Sequence, residues 1–465
     1  MTRMRRETDA LGTVEIPADC LWGIHTQRAL ENFTFSRRRV PFSLIAAIAT
    51  VKQAAARTNG ELGYLAQDIA DAIAAAAGEI CDGGEFVESQ FPLDALQGGA
   101  GTSTNMNVNE VIANLALKRL GKPAGDYAVV HPLHHVNLHQ STNDVYPTAL
   151  RVAAISGVRA LSESLARLQG SLQEKEKAFD AILKTGRTEM QPAVPVTLGR
   201  EFSAFAEAVA RDRWRTFKCE ERLRLVNLGG TAVGTGLTAP RRYIFRVIEV
   251  LRALTGMGLA RDENVIDGTA NADAFVEVSG IMKATAANLS KIAGDLRLLH
   301  FLGEIRLPPV QAGSSIMPGK INPVMAEAML QVGLAVRAND MVVAECAAHG
   351  SLQINEFLPL IAYSLLESVA MLDGAAKAFA AHVVGIEADA ETCARHLYDN
   401  PTLVTAFIPH IDYARAEALT QEFAARKRAD KTADLRAFLV EKLGAPLVER
   451  VLATPYLIGL GYKDE

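Results

Sequence analysis

The densest set of chemistry-bearing side chains lies at residues 311–327. There GSSIMPGKINP puts Ser314 and Ser315 after a glycine, Lys320 five residues beyond the second serine and Asn322 two further on. Gly313 and Gly319 permit backbone geometry that other residues resist, and Pro318 and Pro323 stiffen the segment. A plain linker needs no lysine and amide at fixed distances from two hydroxyls. Four other polar, glycine-containing stretches separate apolar ones: GGAGTSTNMNVNE at 98–110, NLHQSTNDVYPT at 137–148, GRTEMQPAVPVTLG at 186–199 and NLGGTAVGTG at 227–236. Turn chemistry explains their Gly, Pro and Asn, but not why hydroxyl and amide side chains recur.

Other chemistries are weakly supported. The 227–236 stretch lacks G-x-x-x-x-G-K-[ST] and G-x-G-x-x-G and follows no βαβ pattern, so a helix-to-helix turn packed near a site is expected there rather than a phosphate cradle. His131, His134, His135 and His139 fall within nine residues. No cysteine or HExxH pattern accompanies them, and Pro132 breaks any helix, so loop and cap roles are expected and no metal. Five widely spaced cysteines form no disulfide framework or CxxC pair.

The elements that must position these groups read as helices. Val158, Leu161, Leu165, Leu168 and Leu172 recur in steps of 3, 4, 3 and 4. Leu289, Ile292, Leu296 and Leu299 do the same, and residues 325–349 and 358–382 read as long Ala-rich helices. These steps suit bundle packing, and helices this long seldom bury their whole apolar surface within one subunit. A bundle continuing across an oligomer interface is expected. At 465 residues two or three domains are the prior. The division read here is 1–140 (N-terminal), 141–395 (central helix bundle) and 396–465 (small C-terminal part), with Asp399-Asn400-Pro401 as the turn at the last boundary. The net charge of −5 argues against a nucleic-acid binder. No apolar run approaches the roughly 18 residues of a membrane span. MTRMRR at the start is basic, but no apolar region follows, so no secretory signal is read. A reduced, cytoplasmic protein, with no nucleic-acid or membrane partner, is the expectation.

The motifs taken together resemble the aspartase/fumarase superfamily, on the aspartate ammonia-lyase and class II fumarase branch. GSSIMPGKINP is similar to that family's signature loop. The likeness extends to LGTVEIPADCLWGIHTQRALENF at 11–33, GAGTSTNMNVNEVIAN at 99–114, HVNLHQSTNDVYPT at 135–148, GRTEMQPAVPVTLGREF at 186–202 and NLGGTAVGTGL at 227–237. The resemblance implies a mainly α, three-domain fold whose central long-helix bundle forms a tetrameric core. It also implies composite active sites, each built from loops of three subunits, and a small carboxylate substrate. In such enzymes a proton leaves the carbon next to a carboxylate, producing a doubly charged aci-carboxylate, and an amine or water is then expelled from the neighbouring carbon. By the resemblance, Ser314 is the base, acting as an alkoxide favoured by nearby Lys320 and loop N–H groups. Thr102, Ser141, Thr142 and Ser315 grip the carboxylate beside the acidic carbon. Asn143 meets the leaving group, and Lys320, Asn322 and Thr188 hold the other carboxylate. No cofactor is implied, because the substrate's own carboxylate takes the charge.

Four departures bear on substrate. Glu189 stands where fumarases carry His and aspartases His or Gln, and a carboxylate there repels a substrate carboxylate unless protonated, paired with Lys320 or turned to a cationic group. Pro192 stands where relatives usually have Asp. Glu356, in SLQINEFLP, replaces an apolar residue and is expected to be structural. LLHFLGEIRL at 298–307 lacks an SGPR-like turn. The expected activity is a carbon–nitrogen lyase that gives fumarate or a related unsaturated acid from an aspartate-like amino acid. The alternatives are an ergothionase-like lyase releasing a tertiary amine from a betaine-type amino acid, a fumarate hydratase, and a non-enzymatic lyase-derived scaffold.

Overall fold

The computed structural model describes residues 3–461, so the first two residues of the basic start and the last four of the chain lie outside the described residues. Within the basic start, Met4–Asp9 is a strand paired antiparallel with Gly12–Pro17. The protein is mainly α. Its principal helices are Phe42–Glu61, Gln67–Asp82, Thr102–Arg119, Thr142–Ala178, Leu198–Leu223, Asp273–Phe301, Val324–Ala348 and Leu358–Val384. The strands form only two-stranded sheets among the described residues. Contacts divide the chain into two compact units: Met1–Ser162, Trp214–Ala286 and Val332–Asp373 make the first, and Glu163–Arg213, Ala287–Gln331 and Gly374–Glu465 the second.

The apolar stripes become core. Val158, Leu161, Leu165, Leu168 and Leu172 are buried along the Thr142–Ala178 helix, as are Leu289, Ile292, Leu296 and Leu299 along Asp273–Phe301. Contrary to the sequence expectation, Leu358–Val384 is long and apolar enough to cross a membrane by length and composition alone. More than half of its apolar window is buried, and Ile361, Leu365, Val369, Leu372, Ala376 and Phe379 form its buried stripe, the pattern of a core helix. Asn400 caps the 3₁₀ turn Pro401–Phe407, accepting from Thr402 N–H.

Three polar stretches depart from the reading as segments between helices. Residues 102–110 are the first turns of Thr102–Arg119, with Asn105, Asn107, Asn109 and Glu110 all buried. Polarity hid this helix, because most of its buried polar side chains find partners elsewhere in the fold, Asn105 Oδ1 and Asn109 Oδ1 excepted. Glu110, for example, accepts from the N–H groups of Gly23, His25 and Thr26 and from the Thr26 hydroxyl, capping the Ile24–Asn32 helix. Residues 142–148 open the long helix, with Pro147 inside it. Residues 186–199 are largely a hairpin, Leu183–Thr188 against Gln191–Thr197.

Candidate active site

In the first unit, two helix starts meet. Gly101 caps Thr102–Arg119 at φ 93°, and a Cβ there would lie 2.3 Å from the Tyr146 ring, so only glycine fits. Thr102 is exposed, and its hydroxyl donates to the Gly99 carbonyl at 2.7 Å. Ser141 and Asp144 form a capping box for the Thr142 helix. Ser141 Oγ accepts from Asn143 N–H at 3.2 Å, and Asp144 Oδ1 accepts from Ser141 N–H at 2.9 Å. As an acceptor in that bond, Ser141 Oγ keeps its own proton free to donate. Asn105 Nδ2 donates to Thr142 Oγ1 at 3.2 Å, which holds the first turn of one helix against the first residue of the other. Thr102, Ser141, Thr142 and Asn143 thus stand at two helix starts held together by Asn105, where the helix dipoles favour an anion.

Pro147 shapes this corner through what it lacks. With no N–H, it leaves the carbonyl of Asn143, four residues back, open within the helix. Asn227 Nδ2 takes that carbonyl at 2.9 Å, and Asn143 Nδ2 donates to the Ala232 carbonyl at 2.8 Å. The glycine-containing 227–236 loop is therefore laced to Asn143. It holds no phosphate motif but cradles an internal carboxylate: the N–H groups of Gly229 and Thr231 both lie 3.0 Å from Asp144 Oδ2. Asp144 is fully buried, and burial pushes its carboxyl up to about 6 despite three backbone N–H bonds and the charge of Lys52. Lys52 is also fully buried. Burial pushes its ammonium down to about 7, partly opposed by Asp144, and it donates to Asn137 Oδ1 at 2.7 Å.

Lys52, Asn105, Asn109, Asn137 and Asp144 were not singled out from the sequence. One signal was available. Asn105 and Asn109, four residues apart, share one helix face, and both donate to Asn137 Oδ1, at 3.3 and 3.1 Å.

In the second unit, the hairpin register pairs Thr188 with Gln191 and leaves Glu189 and Met190 as a two-residue loop. Both have positive φ, 53° and 61°, as a type I′ turn requires, a geometry that normally selects Asn-Gly. Non-glycine residues held this way recur at functional sites. Thr188 and Glu189 are exposed at the tip of the hairpin. The Leu183–Thr188 strand of the hairpin is pinned by Glu304, which is fully buried. Its Oε1 accepts from Arg187 at 2.7 Å and lies 2.9 Å from His396 Nδ1. Lys184 donates to Glu201 at 2.7 Å and lies 3.1 Å from Glu304 Oε2, an ion pair without hydrogen-bond alignment. Burial works to raise the Glu304 carboxyl, but Arg187, Lys184 and His396 outweigh it and hold it below the usual range. Glu304 belongs to the shortened 298–307 stretch, where Ile305–Arg306 pairs with Glu387–Ala388.

Also in the second unit, the serine loop closes on itself. Gly313 N–H donates to the Lys320 carbonyl and Asn322 Nδ2 to the Gly313 carbonyl, both at 2.8 Å. A Cβ on Gly313 would lie 2.4 Å from that Lys320 oxygen. Inside the closure, Ser314 Oγ accepts from Met317 N–H at 2.9 Å and Ile316 N–H at 3.2 Å. Ser315 and Lys320 are exposed, while Ser314 and Asn322 are half-buried.

Of the histidine cluster, His131 serves as a cap and His135 holds a backbone N–H group, while His139 Nδ1 lies 2.8 Å from Asn59 Oδ1. His131 Nδ1 accepts from the N–H groups of Leu133 and His134 at the start of a π turn, Pro132–Val136. His135 Nδ1 accepts from His131 N–H. Among the described residues no group of three or more His, Cys, Asp or Glu side chains is placed to hold a metal ion. Glu356 is exposed and accepts from the Ser351 hydroxyl at 2.9 Å, a loop-local bond. A cleft of about 400 Å³ lined by Leu30, Phe33, Arg37, Arg38, Arg39 and Asp94 contains none of the expected site residues.

Residues 12–338 match the family described as Lyase. The chain is 45% identical to aspartate ammonia-lyase of Pseudomonas aeruginosa, over 90% of each chain. It is 42% identical to class II fumarate hydratase of Thermosynechococcus vestitus, over 90% of this chain and 91% of that one. The crystal structure of a Brucella melitensis fumarate lyase:delta crystallin superposes with a TM-score of 0.89 at 42% identity, covering 97% of this chain and all of that one.

Proposed function

The chain belongs to the aspartase/fumarase superfamily of lyases, and we propose that within it the protein is a carbon–nitrogen lyase. In this reading it removes ammonia or an amine from an aspartate-like amino acid by anti β-elimination, leaving fumarate or a related unsaturated acid. The observation that carries the reading is the setting of Ser314 Oγ, an oxygen that already accepts two backbone N–H bonds within a loop closed by Gly313 and Asn322. A serine hydroxyl is far too weak a base unaided. Two fixed N–H dipoles aimed at its oxygen favour the alkoxide, the more so once water is excluded.

The elimination then runs in two stages. The Ser314 alkoxide takes the proton from the carbon beside the carboxylate, and the C–H electron pair moves into that carboxylate to form the aci-carboxylate dianion. The pair returns as the carbon–carbon double bond while the bond to the amine breaks, and the amine leaves with its electrons. Ser141 and Thr142, whose oxygens already accept internal bonds, have protons free for the dianion. Thr102 joins them by turning its hydroxyl from Gly99, and Ser315 contributes from the serine loop. Asn143 meets the departing amine, while Lys320, Asn322 and Thr188 hold the far carboxylate. A homotetramer brings the helix-start, hairpin and serine-loop clusters of different subunits together.

The Glu189 position favours a second reading for the substrate. An exposed carboxylate at a hairpin tip suits a cationic side group better than a second carboxylate, as in a betaine-type amino acid that loses a tertiary amine. The test is a panel of L-aspartate, L-malate and trimethylammonium amino acids, followed by absorbance of the new conjugated double bond. Turnover of an amino acid is expected; turnover of L-malate alone would overturn the carbon–nitrogen reading. Ser314→Ala should lower kcat by at least about 1,000-fold without dissociating the assembly, the upper part of the range for losing a general base. Appreciable residual turnover would remove Ser314 from that role.

A further inference from the structure

Behind the Thr142 helix start lies a chain of buried hydrogen bonds whose direction is set at one end. A lysine ammonium has donors and no acceptor, so the atom it meets on Asn137, 2.7 Å away, is the side-chain oxygen. That oxygen can only accept, and the amides of Asn105 and Asn109 accordingly turn Nδ2 toward it. The Asn137 amide nitrogen faces the other way and donates to the Gln140 carbonyl at 3.1 Å. With one Nδ2 proton of Asn105 on Asn137, the other points to Thr142 Oγ1 at 3.2 Å. The hydroxyl oxygen is thereby an acceptor on its protein side, and its proton must point elsewhere. Asn105 Oδ1 is buried without a hydrogen-bond partner. Were the Asn105 amide reversed, that oxygen would draw the Thr142 proton inward.

We propose that Lys52 is a positioning residue of the active site: acting through Asn137 and Asn105, it fixes the polarity of this chain so that the Thr142 hydroxyl donates outward to the substrate carboxylate. The inference rests on the reading of Thr142 as a carboxylate donor. Lys52 touches no reacting atom. Asp144, whose carboxylate is locked by three backbone N–H groups, supplies the opposite charge that makes a fully buried ammonium tolerable. A neutral side chain in place of Lys52 leaves the amides free to flip, because an uncharged chain of amides and a hydroxyl can run in either direction.

The test compares Lys52→Met, Asn105→Asp, Thr142→Val and the Lys52→Met/Thr142→Val double variant, on whichever substrate of the panel the wild-type protein turns over. Lys52→Met should lower kcat about 10- to 100-fold with KM nearly unchanged, part of the about 100- to 1,000-fold carried by a single donor to a developing oxyanion. In the Thr142→Val background it should cost nothing further, since the hydroxyl it orients is gone. Asn105→Asp leaves the lysine in place but offers only oxygen to Thr142, and it should lower kcat similarly; it decides the matter should Lys52→Met fail to fold. Wild-type kcat in Lys52→Met or in Asn105→Asp, or losses that multiply in the double variant, would overturn the proposal. Full activity of Thr142→Val would instead remove the carboxylate-donor reading beneath it, a failure visible before Lys52 is changed.

Discussion

At the residue scale, function rests on where protons and lone pairs point. Ser314 and Thr142 are both hydroxyls, yet the proposed elimination gives them opposite tasks. Two N–H donors converge on Ser314 Oγ and favour its loss of a proton, whereas a single amide N–H on Thr142 Oγ1 leaves that proton available to a ligand. Glu189 is one of the departures read from the sequence, and the I′ geometry displays it at a tip. If it selects a cationic group, Glu189→Gln should raise KM for the native substrate about tenfold, roughly the 1.4 kcal/mol that one order of magnitude represents, and should improve turnover of L-aspartate. Steady-state kinetics with both substrates checks this, and unchanged constants would return Glu189 to a turn-forming role. Ser314 and Thr142 were named from sequence through motifs that resemble the family's, and Glu189 through a departure from them. Asn105 and Lys52 were not, because inside a helix an amide or a lysine is ordinary until its burial is known.

At the element scale, the hairpin depends on Glu304. Glu304→Gln leaves the nearly buried Lys184 with Glu201 alone and Arg187 without a carboxylate. Breaking a buried network this way costs about 3–5 kcal/mol, to be seen as a lowered Tm, with the tip loosened and kcat reduced. The pH dependence follows from the depressed Glu304 carboxyl. Its stabilisation is fully present above the unfolded carboxylate pKa of about 4.3 and is lost as pH falls through the lower folded value. Glu304→Gln should therefore flatten the acid limb of stability, and thermal unfolding at stepped pH that showed an unchanged limb would refute the assignment. The helix start on Gly101 is equally intolerant. Gly101→Ala places a methyl against Tyr146 in a left-handed backbone, and a loss of about 1–3 kcal/mol is expected from such overpacking and strain, measurable by denaturant unfolding.

At the scale of the whole molecule, large apolar side chains remain exposed on the long helices. Leu334 (62% exposed) and Met341 (64%) lie seven residues apart on one face of Val324–Ala348, and Trp214 (64%) and Phe217 (61%) share a face of Leu198–Leu223. Apolar stripes of this kind call for a partner, and the proposed tetramer supplies one. Light scattering at micromolar concentration should give the mass of four chains. A Leu334→Glu/Met341→Glu variant should give smaller species and lose turnover, although neither residue belongs to the three clusters. An active monomer would dispose of the composite site.

The sequence by itself determined the family, the long helices and the polar stretches that interrupt the apolar ones, because apolar periodicity and rare combinations such as GSSIMPGKINP are local properties of the chain. Only the tertiary structure decided that residues 102–110 and 142–148 are helix starts, that 186–199 is largely a hairpin, and that a buried lysine lies behind Thr142. Those outcomes depend on partners distant in sequence: Asn227 closing the gap left by Pro147, Glu304 pinning Arg187, Asn137 turning its oxygen to Lys52. A polar residue reads as exposed until the fold brings it the group that satisfies it.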